Sequence, residues 1–96
     1  MLIAEEFLST LGKLIKHQRS LSMDQAEFAK RLGCGVNTVY RMEKGQPVNS
    51  LTLLSALELL GLLKHFTEVL DDQYARVANG PERKRRKLDE DFSNDF

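Results

Sequence analysis

The chain has no tryptophan, one cysteine and two prolines, and aromatic residues make up only 7% of it. Each scarcity excludes something. The lone cysteine, Cys34, rules out an internal disulfide framework and fits a reducing compartment. Pro47 and Pro81 leave residues 1–46 and 48–80 without a proline, so long stretches are open to helix. No stretch alternates apolar and polar residues over the length of a strand, which argues against a sheet. No apolar run approaches the ~18 residues of a membrane-spanning helix. Residues 1–30 lack the pattern of a signal peptide. The expectation is a cytoplasmic protein, associated with the nucleoid if it binds DNA.

Net charge is lacking too. Fourteen Lys and Arg balance fourteen Asp and Glu. Residues 1–70 hold eight basic and seven acidic residues, and residues 71–96 hold six and seven. Any attraction to a nucleic acid must come from local placement of charge. Few phosphates would be neutralised per copy, so a single copy should bind weakly. Chemistry of the enzymatic kind is also missing. There is no nucleophile–base pair, phosphate-binding loop or metal-ligand cluster, so no enzymatic activity and no cofactor are expected. His17 and His65 stand apart with no Cys or acid cluster beside them, which disfavours a metal site. Cys34 has no cationic neighbour close in sequence to activate it and reads as a small turn residue.

What is present is leucine-rich and helical in period. Ninety-six residues, 42% of them hydrophobic, suit one small all-α domain. Ala4, Phe7, Leu8, Leu11, Leu14 and Ile15 recur at spacings of three and four. Glu5 and Glu6 open that segment and Lys13 and Lys16 close it, as the helix dipole favours. Residues 51–60 are apolar nearly all round. After Gly61, the residues Leu62, Leu63, Phe66, Val69 and Leu70 give a fifth helix a broad apolar face. A domain this small has too little interior for all of these. The excess is expected to pack against a second copy through Leu62, Leu63, Phe66 and Leu70.

The run from Met23 to Gly45 carries the most information. Asp24 is a helix cap, and Glu27 three residues on completes a D-x-x-E capping box. Met23 and Phe28 stand at the positions of a hydrophobic staple. Phe28, Ala29 and Leu32 form a helical stripe, and Gly33 ends it. Gly35 starts a second short helix with Val39 and Met42 on one face. Val36, Asn37, Tyr40, Arg41 and Lys44 fall on the others, and Gly45 ends it. Two short helices on a tight glycine turn, with a spare polar face, are the layout of a helix-turn-helix.

This run resembles the Cro/repressor-type helix-turn-helix of the XRE family. Gln25, Phe28, Ala29, Leu32, Gly33, Thr38, Val39, Arg41, Met42, Glu43 and Gly45 match its pattern by identity or kind. Leu11 to Lys16 with Arg19 are similar to the family's first helix, and Ser50 to Gly61 to its fourth. The likeness runs from about Phe7 to Leu70. Gly35 departs from it by replacing the usual Ser, and the turn before Asp24 is about one residue short. The resemblance implies a five-helix, lambda-repressor-like fold. It implies DNA contacts from Gln25, Val36, Asn37, Thr38, Tyr40, Arg41 and Lys44, and a structural ion pair between Arg19 and Glu43. Within the family, the length and charged tail look like the HipB-like antitoxins. Those repress their own operon on near-palindromic DNA as homodimers and bind a HipA-like kinase toxin. The competing expectation is a protein-interaction module with the same fold and no DNA binding.

The domain is expected to occupy residues 1–72 and a charged, flexible tail residues 73–96. Asn79-Gly80-Pro81 breaks any helix there. A basic run, Arg83 to Lys87, and the acids Asp89 to Asp91 follow. The basic run reads equally as a solvated segment or as a phosphate-binding arm or nuclear signal. Phe92 and Phe96 are isolated aromatics, either anchors for the kinase partner or part of a fraying end.

Overall fold

A computed structural model describes residues 3–79. Five helices follow one another: α1 (Ile3–Ser20), α2 (Gln25–Leu32), α3 (Val36–Glu43), α4 (Ser50–Leu59) and α5 (Leu63–Ala78). No strand occurs among the described residues. The all-α expectation and the five helices stand. Two compact units make up the chain, Met1–Leu63 and Lys64–Phe96.

In the first unit, α2 packs on α3 and α4, and α1 packs on α2 and α3. Phe28, Ile15 and Val39 are fully buried, one from each of the first three helices, and Leu11, Ala29, Met42, Ala56 and Leu57 complete the core around them. The local signals explain the boundaries. Asp24 Oδ1 accepts from the N–H of Glu27 at 2.8 Å and caps α2. Only half of the capping box forms, because Glu27 turns to Arg31 instead, at 2.8 Å one turn along the helix. Gly33 adopts φ 72°, and the N–H of Cys34 reaches back to the Ala29 carbonyl, a Schellman ending. At α4, Asn49 caps by accepting from Leu51 and Thr52.

The buried line of α1 differs from the expected stripe. Leu11, Gly12, Ile15 and Arg19 are buried, whereas Ile3, Phe7 and Leu14 are exposed. The apolar stripe read from the sequence is wider than the strip along which α1 meets its neighbours. Gly12 makes that strip close. A Cβ there would lie 2.7 Å from the Met42 carbonyl oxygen and 2.8 Å from that of Glu43. From the other side, Gly45, at φ 79°, is needed both for the left-handed turn after α3 and for its approach to Ser9 of α1.

In the second unit, α5 continues through residues 73–78, which the sequence assigned to the flexible tail. Charge density suggested the earlier start. Charge alone does not stop a helix, and Asp72 and Arg76 form an exposed pair at 3.0 Å one turn apart within it. The end falls at Asn79, where the break was expected to begin. The basic run Arg83 to Lys87, the acids Asp89 to Asp91, Phe92 and Phe96 lie outside the described residues.

Candidate nucleic-acid interface

Helix α3 has eight residues and two opposite faces. Val39, Met42 and Glu43 point inward and are buried. Val36, Asn37, Tyr40, Arg41 and Lys44 are exposed. At about 100° per residue, these five fall within an arc of about 140°. Val36 and Tyr40 are 46% and 50% exposed, high values for side chains that gain nothing from water. Arg41 and Lys44 supply two positive charges, and no acid shares the arc. The Lys44 ammonium lies 5.4 Å from the Tyr40 ring centroid, a cation–π contact that stiffens the C-terminal edge of the face. Thr38 is half-buried at the margin.

The inward face of α3 carries an ion-pair network that joins three helices. Arg19 of α1 donates from Nε to Glu43 Oε2 at 2.7 Å and from a terminal nitrogen to Oε1 at 3.1 Å. Another guanidinium nitrogen donates to the Met23 carbonyl at 2.9 Å. Gln25 at the head of α2 donates from Nε2 to Glu43 Oε1 at 2.9 Å. Both charged residues are buried, so the fork-shaped pairing satisfies groups that water does not reach. The Arg19–Glu43 pair thus takes the geometry expected of it.

Gln25 differs. Its side-chain amide is used inside the molecule, not turned outward as a phosphate contact requires. A buried carboxylate with an oxygen to satisfy is the nearer partner. The carboxylate of Asp24 also occupies the start of α2, where a phosphate would have to sit. The sequence carries a signal for this network: a glutamate on the buried face of α3 needs more than one donor.

No side chain caps α3, since Gly35 has none; of its first-turn N–H groups, that of Thr38 donates to the Gly35 carbonyl at 3.1 Å. Cys34 is half-buried in the turn between α2 and α3. His17 lies on α1 and His65 on α5, and no group of three potential metal ligands gathers among the described residues. A groove in the first unit is lined by Arg31, Leu32, Ser55, Glu58 and Leu59. Among the described residues no helix is long and apolar enough to cross a membrane.

On α5, Leu63, Phe66 and Leu70 share one face, and none is buried; Leu70 is 67% exposed. Tyr74 and Val77 extend that stripe and were not among the expected dimer residues. They were missed because the helix was taken to end before them. Leu62, the remaining candidate, precedes the helix in the first unit.

No family model, no curated protein and no solved structure matches this chain.

Proposed function

We propose that the chain is a sequence-specific DNA-binding repressor that inserts α3 into the major groove. One observation carries the reading. A short helix, anchored by a buried ion-pair network, exposes five residues that suit base and phosphate contact and that the domain does not use. Asn37 matches adenine, Arg41 matches guanine and Val36 meets a thymine methyl group. Tyr40 faces the bases with them, and Thr38 and Lys44 are suited to the flanking backbone. The reading needs little net charge because the two cations sit on the docking face.

Binding by one copy is weak under these conditions, so the proposal includes a dimer through α5. Leu63, Phe66, Leu70, Tyr74 and Val77 fall within about 80° of arc, with Lys64, Glu68, Asp71 and Asp72 outside it. The operator is then a near-palindrome with half-site centres about one DNA turn apart, or a multiple of it. Phe66→Asp is expected to give a monomer at micromolar concentration, with much weaker operator binding. Light scattering that finds the unaltered chain monomeric there overturns the dimer.

The HipB-like resemblance extends the proposal to an autoregulated toxin–antitoxin operon and a HipA-like kinase partner. The test is a mobility shift on the chain's own upstream DNA. Arg41→Ala is expected to cost about 1–3 kcal/mol and to relax preference at one base pair. Lys44→Ala should instead weaken all sequences alike and lower the salt slope by about one. If neither the unaltered chain nor its variants discriminate upstream DNA from random DNA, the chain is an interaction module and not a repressor.

A further inference from the structure

The outer face of α1 has no role in the site described above. Ile3, Phe7 and Leu14 are 82%, 59% and 37% exposed, and Thr10 stands in line with them. Their spacing of four, three and four residues is the seam spacing of a two-helix pair. The stripe is turned away from the line of Leu11, Gly12, Ile15 and Arg19 that meets the core. Glu6 and Lys13 are exposed along one border of it, seven residues apart. They are too far apart to pair on their own helix, and neither joins an ion pair among the described residues.

We infer that this face docks, antiparallel, on the same face of a second copy. The register follows from the residues. A two-fold axis between Leu8 and Ser9 sets Ile3 against Leu14 of the other copy, and Phe7 against Thr10, giving four layers in succession. With about 1.5 Å of rise per residue, the same register brings Glu6 within about 3 Å in height of the other copy's Lys13. Side chains lean toward the N-terminus of their own helix, so in an antiparallel pair these two lean toward each other. The symmetry repeats the contact, so both charges of each copy are matched. In a parallel pair the two-fold axis would carry Glu6 and Lys13 of the other copy to the opposite flank of the seam, and that match would be lost. Only three large apolar side chains per copy take part, so the contact is weak and adds to the α5 pairing without replacing it.

The inference is independent of α5, and the experiment separates the two. Sedimentation equilibrium of the full chain, over a wide concentration range, resolves the strongest association step from the next. Glu6→Lys and Lys13→Glu are each expected to weaken one step by roughly tenfold or more, about 1.4 kcal/mol. The double exchange, Glu6→Lys with Lys13→Glu, should restore it to within about threefold, because attraction is reinstated with the signs reversed. Helical content, read in parallel, checks that all variants fold. Single variants that associate like the unaltered chain overturn the inference, as does a double exchange that fails to restore the step. The same outcome follows if the stripe is covered by α5 of its own chain, since charge reversal then leaves association unchanged. A failed α5 dimer shows separately, as a Phe66→Asp chain whose association is unaltered.

Discussion

Glu43→Ala is expected to lower the unfolding free energy by about 3–5 kcal/mol. The cause is what remains. Arg19 keeps its charge while buried, and its guanidinium retains only the Met23 carbonyl. Gln25 also loses its acceptor. A small domain holds about 5–15 kcal/mol in all, so this one substitution removes a large fraction. Urea unfolding followed by helical signal measures it. The comparison that identifies the mechanism is Arg19→Met with Glu43→Leu. Replacing both partners by apolar residues of similar size leaves no orphan charge and should recover most of the loss. If the double replacement is as unstable as Glu43→Ala, the hydrogen bonds of the network, and not relief of an orphan charge, are what Glu43 supplies. On the proposed DNA-binding reading there is a second readout: the stable apolar variant lacks the tie from Gln25 to α3, so DNA binding should suffer more than stability does.

Gly12→Val is expected to cost at or above the top of the usual range for overpacking, about 1–3 kcal/mol. The Cβ alone meets the Met42 and Glu43 carbonyl oxygens at 2.7 and 2.8 Å and the Gly45 nitrogen at 2.9 Å. All three are backbone atoms at the end of α3, so no side chain can swing aside. Helix α1 must back away from α3 or the turn after α3 must distort. Gly33→Ala is the contrast: its Cβ meets nothing within 4 Å, and its cost comes from φ 72° alone, about 1 kcal/mol. Thermal unfolding that ranks Gly12→Val no worse than Gly33→Ala would refute the close-approach argument. Because the strained atoms adjoin Lys44, the proposed function adds a reduced DNA affinity in whatever fraction of Gly12→Val stays folded.

Much of the molecule was legible from local rules, since caps and periodicity act within a few residues. Asp24, Gly33, Gly45 and the three-and-four spacings fix where α2 and α3 start and stop, and the same rules separate the polar face of α3 from Val39 and Met42. The all-helical class followed from what the chain lacks. Tertiary structure alone decided which side of each helix is covered. The stripe on α1 looked like core from Ala4 to Ile15, yet its members Ala4, Phe7 and Leu14 are exposed, because α1 is touched along one narrow line. Gly12 carries no signal of its own in the sequence and is the place where two backbones meet. Gln25 looked like a phosphate ligand, and a carboxylate eighteen residues further along the chain holds its amide. Periodicity names a face and caps name an end. The partner of a buried charge, and the width of a contact, depend on where distant segments come to lie.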